Sequence, residues 1–151
     1  MQFAKEKGAE VFATASGDAV GFVRALGADH AIDYHTQRFE ASAPSMDLVF
    51  DLIGGDTQRR SWAVAAAGGA LISTLTEPSQ TEAAAHGARA ARYTARPDGT
   101  QLSEIASLID ARAVRVVVAE TYLFDATADA LARLDKGHVQ GTVVVEVSRA
   151  T

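Results

Sequence analysis

The stretch AEVFATASGDAVGFVRALGADHAIDY, residues 9–34, predicts a strand, a helix and a second strand in close succession. Residues 10–15 and residues 30–34 are short apolar runs of the length that strands have. Between them, apolar residues recur at the spacing of a helix with one buried face, and Gly27 is expected to end that helix. These apolar residues are Ala19, Phe22, Val23 and Leu26. Such a strand–helix–strand unit is characteristic of an α/β protein with a parallel sheet.

The same alternation continues along the rest of the chain. We predict further strands at 47–53, 70–75, 88–95, 114–118 and 141–147, and further helices at 56–66, 102–111 and 125–137. The strand at 47–53 is apolar on both faces, so we expect it in the centre of the sheet. Asp56 is a candidate N-cap, Gly68 and Gly69 are expected to end the helix before them, and Ser79 with Glu82 forms a candidate capping box.

Length and composition favour one folded domain. A chain of 151 residues, 48% of them hydrophobic, can bury a core of its own. We therefore assign residues 1–151 to a single domain, with its core at 9–111 and a strand–helix–strand extension at 112–148.

Composition also limits the compartment and the partners. The chain has no cysteine, which excludes disulfides and thiolate metal sites and fits a reducing compartment, so we expect a cytoplasmic protein. Its formal charge is −5 and its basic residues are dispersed, so nucleic acid is not an expected partner. No apolar run is long enough to cross a membrane, so we expect no membrane partner.

Several motifs, taken in order, carry a resemblance to a known family. Together they resemble the C-terminal half of the medium-chain dehydrogenase/reductases, and within it the zinc-free, NADPH-dependent quinone oxidoreductase-like branch. Any one of them alone would be weak, but their order and spacing are specific. The motifs are GAEVFATAS, LGADHAIDY, DLVFDLIGG, GGALIST, RPDGTQLSEIASLID and ARLDKGHVQGTVVVEV.

The resemblance implies a Rossmann-like nucleotide-binding domain that lacks its first strand and glycine-rich loop, because residues 2–10 resemble the last turns of the helix that follows that loop. The family's sheet has the strand order 3-2-1-4-5-6. Without strand 1, the gap can close to give 3-2-4-5-6, a flavodoxin-like order, or the exposed edges can pair with another chain. The two C-terminal strands are expected to pair with each other or with a second subunit, which favours a homodimer.

Ser16 stands where an acidic residue would select NAD over NADP. An acid there accepts hydrogen bonds from the ribose hydroxyls and repels a 2′-phosphate, and this sequence has none before Asp18. The pattern favours NADP as the cofactor, and the resemblance implies that Ser16 and Tyr34 contact its phosphate. The alternative is structural, with Ser16 a turn residue and Tyr34 an amphiphilic residue at a strand end.

A second group of candidate cofactor-binding residues follows the next two strands: Ile53, Gly54, Gly55, Thr74 and Leu75. Ligands of open α/β sheets bind at the carboxyl ends of the strands, and paired glycines let a ligand approach the backbone closely. The resemblance implies that the residues ending the second of these strands face the nicotinamide. A tight strand-to-helix turn would explain the glycines equally well.

The remaining chemistry-bearing residues form no recognisable catalytic set, and no catalytic residue is assigned. Asp47 and Asp51 lie roughly 13 Å apart along an extended strand, too far to share a proton or a metal. The histidines show no ligand spacing, so no metal site is proposed.

The leading hypothesis is therefore the NADP(H)-binding portion of a quinone or enone oxidoreductase, not catalytically complete by itself. Two alternatives stay open. One is a non-enzymatic, dimerising α/β module, and the other is a repurposed small enzyme that uses the crevice at the sheet edge without a cofactor.

Overall fold

The computed structural model describes residues 1–147 and shows an α/β fold with parallel sheets. The strands are β1 Phe12–Ala15, β2 His30–Asp33, β3 Met46–Asp51, β4 Ala65–Ser73, β5 Arg89–Arg92, β6 Val118–Leu123 and β7 Thr142–Glu146. The α-helices are α1 Gln2–Glu6, α2 Ala19–Ala25, α3 Phe39–Ser42, α4 Gly55–Ser61, α5 Gln80–Ala85, α6 Gly99–Asp110 and α7 Thr127–Asp135. Short 3-10 helices lie at Trp62–Val64 and Phe124–Ala126.

The chain divides into two compact units. The sheet unit comprises Phe12–Val20 and His30–Asp98. The terminal unit comprises Met1–Val11, Gly21–Asp29 and the described residues from Gly99 onward. The assignment of the whole chain to one domain with a C-terminal extension stays a prediction.

In the sheet unit, β1 pairs in parallel with β2, and β4 pairs in parallel with both β3 and β5. One core cluster consists of the buried residues Trp62, Leu71 and Ala83, with Val49 of β3 packed against it. It lies on the sheet face that α5 and the first 3-10 helix cover. Burial of each large apolar side chain of this kind contributes roughly 1.5–3 kcal/mol to folding.

A second core cluster of the sheet unit joins its two sheets through side chains. The buried residues Ile32, Phe39 and Val64 form it, and Phe12 of β1 and Met46 of β3 pack against them. Thus β1 and β3 contribute to one hydrophobic core although they belong to separate hydrogen-bonded sheets.

The terminal unit contains a second parallel pair, β6 with β7. The two C-terminal strands therefore pair with each other, which was one of the two expected arrangements. Near the start of this unit, the Lys5 ammonium lies 2.8 Å from the Asp29 carboxylate, whose Oδ2 also accepts the Val11 N–H at 2.8 Å.

The fold class is confirmed, but the expected order 3-2-4-5-6, in which β1 would pair with β3, is not formed within residues 1–147. The observed pairs reproduce the partial orders 3-2 and 4-5-6, but within residues 1–147 β1 and β3 share no ladder. The expectation that 47–53 is a central strand is wrong, because β3 is an edge strand. Leu48 and Phe50 on one of its faces are more than half exposed.

Three local predictions also need correction. The strand predicted at 114–118 begins only at Val118, because the Val114 N–H donates to the Leu108 carbonyl and closes α6 instead. Gly54, rather than Asp56, is the N-cap of α4. The helix predicted up to residue 66 ends as the 3-10 helix at Val64.

Gly68 and Gly69 lie within β4, not at a helix end. A Cβ on Gly69 would lie 2.9 Å from the Met46 carbonyl oxygen, so the two backbones can approach only with glycine there. The register of β3 and β4 shifts at this point. The predicted Ser79 cap is confirmed, since its Oγ accepts the Glu82 N–H at 3.2 Å.

Candidate functional site

The turn that follows β3, residues 52–55, is held by the carboxylate of Asp51. We call these residues the glycine turn. Asp51 is buried, and its Oδ1 accepts the backbone N–H of Ile53 at 3.0 Å and that of Gly54 at 2.9 Å. Aspartate favours such a turn because its short side chain reaches the backbone two and three residues ahead.

The second oxygen of this carboxylate accepts two side-chain donors. Asp51 Oδ2 accepts the Ser73 hydroxyl at 2.8 Å and the Gln58 amide at 2.9 Å. Burial acts to raise the pKa of Asp51, but the hydrogen bonds from Gly54, Ile53, Ser73 and Gln58 outweigh it and hold the pKa below its usual range. Asp51 is therefore an ionised, fully bonded carboxylate at neutral pH.

The loop that follows β4, residues 74–76, is attached to the same carboxylate. We call it the Leu75 loop. The Leu75 N–H donates to Ser73 Oγ at 3.2 Å, and the Gln58 amide also donates to the Thr76 carbonyl and hydroxyl oxygens, both at 3.3 Å. The Thr74 N–H donates to the Asp51 carbonyl at 3.2 Å. Asp51 thus holds the glycine turn and the Leu75 loop together at the carboxyl ends of β3 and β4.

The two glycines of the turn have backbone angles that favour glycine. Gly54 has a φ of 74° and Gly55 a φ of 55°. A Cβ on Gly54 would meet Leu75 Cδ1 at 3.4 Å, whereas one on Gly55 would meet no atom within 4 Å. The backbone at Gly55 is accordingly open to a ligand, and the exposed side chains of Ile53 and Leu75 add apolar surface beside it.

The other candidate residues, Ser16 and Tyr34, lie together at the carboxyl ends of β1 and β2. The Tyr34 N–H donates to the Ala15 carbonyl at 3.1 Å, which places Tyr34 beside the turn that starts at Ser16. The Ser16 carbonyl accepts the Ala19 N–H at 2.7 Å, so Ser16 does form the turn into α2. The Tyr34 side chain is 51% exposed and its ring lies 4.5 Å from that of His35.

Asp33 is a functional candidate that sequence reasoning missed. One of its oxygens lies 3.6 Å from the position of a Cβ on Gly17, and the other accepts the His35 N–H at 3.0 Å. It therefore places a carboxylate next to the turn where an acid would contact the ribose. The sequence places Asp33 near the end of the strand predicted at residues 30–34, and in the structure this strand pairs with β1.

Asp51, Ser73 and Gln58 were also missed as a group. Sequence reasoning considered Asp51 only as a partner for Asp47, which is exposed. An aspartate three residues before a glycine pair, at the end of an apolar strand, was the signal that could have identified the turn.

Neither metal ligands nor membrane-spanning helices are found in the described part of the chain. Within residues 1–147 no three His, Cys, Asp or Glu side chains are grouped so that they could hold a metal ion. No helix there is long and apolar enough to cross a membrane.

Parallel strands with a glycine turn at their carboxyl ends are typical of the nucleotide-binding α/β proteins. Comparison with known proteins agrees: residues 26–145 match the family model described as zinc-binding dehydrogenase. The chain belongs to this family, within the medium-chain dehydrogenase/reductase superfamily, and corresponds to part of its C-terminal half.

The relatives include the NAD(P)H oxidoreductase RTN4IP1, mitochondrial, of Mus musculus, which is 31% identical over 97% of this chain and 44% of its own length. The NADPH-dependent alkenal/one oxidoreductase, chloroplastic, of Arabidopsis thaliana is 33% identical over 90% of this chain and 33% of its own length. The solved quinone oxidoreductase of Coxiella burnetii superposes with a TM-score of 0.87 at 28% identity, over 97% of this chain and 48% of that one. The chain thus spans less than half the length of these relatives.

The zinc in the family's description does not fit the residues described here. The sequence has no cysteine, and residues 1–147 present no group of three candidate ligands. A nicotinamide dinucleotide fits better, because the backbone at Gly55 is open and Ile53 and Leu75 expose apolar side chains at the same end of the sheet.

Proposed function

We propose that this chain supplies the dinucleotide-binding wall of an NADP(H)-dependent oxidoreductase that acts on quinones or enones. The observation that carries the proposal is the glycine turn beside the Leu75 loop, held at the sheet edge where α/β proteins bind ligands. The names of the relatives add support, since they include an NAD(P)H oxidoreductase and an alkenal/one oxidoreductase. When bound, the dinucleotide supplies the hydride chemistry.

In this proposal the chain's own residues bind and orient the cofactor. Gly55 leaves its backbone open to the ligand, while Ile53 and Leu75 offer apolar contact to a planar ring. Thr74 follows β4, and its N–H donates to the Asp51 carbonyl at the end of β3. These contacts orient the cofactor, and the reaction itself is proposed for the whole protein of which such a domain is a part.

NADP is the proposed cofactor form because Ser16 replaces an acid at the turn after β1. Ser16 and Tyr34 lie together and would face the 2′-phosphate. The Asp33 carboxylate beside Gly17 is an acceptor suited to ribose hydroxyls, which makes NADH a necessary comparison.

The test is a fluorescence titration of the purified chain with NADPH and, separately, with NADH. Saturable binding of NADPH that is tighter than that of NADH supports the proposal. Tighter binding of NADH would overturn the choice of NADP, and no saturable binding of either would overturn dinucleotide binding by this chain.

A second candidate function is a dimerising α/β module, favoured by the edge of β3. Within residues 1–147 this strand pairs on one side only, and Leu48 and Phe50 expose apolar surface there. An unpaired strand edge is a template for another chain. Sedimentation at micromolar concentration tests this function, which predicts a homodimer, whereas a stable monomer would remove it.

A further inference from the structure

The Asp51 carboxylate is bonded on both sides by its own chain. Two backbone N–H groups fill Oδ1, and two side-chain donors fill Oδ2. A carboxylate has about four acceptor sites, so this one has none left for a ligand. Asp51 can therefore affect a ligand only through the groups that it holds.

The donors to Asp51 connect it to both segments at this end of the sheet. Ile53 and Gly54 belong to the glycine turn, whereas Ser73 and Gln58 lead to the Leu75 loop. Gln58 is the bridging side chain, because its amide donates both to Asp51 and to Thr76. It lies in α4 and is partly exposed, so it can be replaced without opening the core.

We infer that Asp51 and Gln58 are positioning residues that couple the glycine turn and the Leu75 loop into one preorganised wall for a dinucleotide. The identity of the ligand rests on the proposed function, whereas the coupling does not. A wall that is ordered before the ligand arrives lowers the entropy cost of binding. Loss of the Gln58 hydrogen bonds should therefore make both the glycine turn and the Leu75 loop more mobile and weaken binding of the dinucleotide.

The test uses Gln58→Met in the full chain, which keeps the length and helix propensity of the side chain and removes its donors. Gln80→Met is the matched control, because the Gln80 amide donates to Glu77 and to the Ala90 carbonyl and not to Asp51 or to the Leu75 loop. Hydrogen exchange is measured at the amides of Ile53, Gly54 and Leu75, and NADPH binding is titrated in parallel.

We expect exchange to become about 10-fold faster at all three amides in Gln58→Met and to stay unchanged in Gln80→Met, with NADPH binding about 10-fold weaker in the first variant only. Faster exchange at Leu75 alone, with Ile53 and Gly54 unchanged, would overturn the coupling. If the unmodified chain binds no NADPH, the proposed function fails, and the exchange data still decide the coupling. If exchange changes at all three amides but affinity for NADPH does not, the coupled segments do not position the dinucleotide.

Discussion

The two groups of candidate residues in the sheet unit are built in different ways. At the ends of β3 and β4, a buried carboxylate holds the backbone of both loops. At the ends of β1 and β2, Tyr34 is half exposed, and Asp33 accepts one backbone N–H through a partly exposed carboxylate. The first group is fixed by folding, so changes there should affect stability as well as binding. The second group offers exposed side chains, so changes there should affect binding more than stability.

The largest effect is expected from Asp51→Asn. The amide has one accepting oxygen where the carboxylate has two, so it cannot accept from the backbone donors on one side and the side-chain donors on the other, and we expect the free energy of unfolding to fall by about 2–4 kcal/mol. Asp33→Asn is the matched change at the other sheet edge and should cost less than about 1 kcal/mol. Urea unfolding followed by the fluorescence of Trp62, the chain's single tryptophan, measures both. Equal losses in the two variants would contradict the contrast between the two groups.

Gly54→Ala should have the next largest effect. Its φ of 74° with a ψ of −166° is a conformation that alanine adopts only with strain, so we expect a loss of about 1–3 kcal/mol. Gly17→Ala in the turn after β1 should change stability by no more than about 0.5 kcal/mol, since its Cβ would make an ordinary 3.6 Å contact with Asp33. Thermal unfolding of both variants checks the difference. A destabilised Gly17→Ala chain would show that the turn after β1 is as constrained as the turn after β3.

An ion pair links α3, which follows β2, to α4, which follows β3. Arg60 donates to the two carboxylate oxygens of Glu40 at 2.6 and 2.8 Å, and its guanidinium lies 4.9 Å from the centre of the Phe39 ring. The hydrogen bond from Arg60 outweighs burial and, with bonds from the Glu40 backbone and Arg38, lowers the pKa of Glu40 to about 2. The link therefore stays ionised down to strongly acidic pH.

The low pKa of Glu40 predicts the sign of an acid effect. Folded Glu40 binds its proton more weakly than unfolded Glu40, so the pair stabilises the fold fully above pH 4.5, the ordinary pKa of glutamate, and loses that contribution as the pH falls towards 2. We expect Arg60→Met to lower the free energy of unfolding at pH 7 and to lose less stability than the unmodified chain between pH 4.5 and 2.

Arg59→Met is the control for this effect, since Arg59 pairs with Asp56 on the exposed side of α4. It should cost no more than about 0.5 kcal/mol. Urea unfolding at several pH values gives the comparison. If the free energy of unfolding changes with pH in the same way in Arg60→Met and in the unmodified chain, the Glu40–Arg60 pair does not stabilise the contact between α3 and α4.

Sequence patterns predicted the parallel α/β fold because alternating strand and helix periods are local and strong, as at Phe12–Ala15 and Ala19–Ala25. They also grouped Gly54, Gly55 and Leu75 correctly at one sheet edge, because parallel strands end at a common edge. They left open whether β1 and β3 pair. Within residues 1–147 the two strands share no ladder, although both contribute side chains to the core cluster around Phe39.

The Asp51 contacts were missed for a related reason. Hydrogen bonds from Ser73 and Gln58 join residues 22 and 7 positions away, and no spacing rule predicts them. The strand expected at 114–118 was apolar enough to form one, but the end of α6 takes up the Val114 N–H. An apolar run indicates that a segment is buried. Whether that segment forms a strand or a loop depends on which groups its backbone hydrogen-bonds.

The smallest effect on stability is expected from Ser16→Asp, which sharpens the contrast by changing binding alone. Ser16 is partly exposed in the turn after β1, so its replacement should leave the free energy of unfolding within about 0.5 kcal/mol of the original. The new carboxylate would repel a 2′-phosphate and accept from ribose hydroxyls, so we expect NADPH binding to weaken about 10-fold relative to NADH.

Ser45→Asp adds the same charge in the exposed loop before β3 and should leave the preference unchanged. Parallel fluorescence titrations of both variants decide the matter. An equal shift in the two would mean that net charge, and not the position of Ser16, determines the preference.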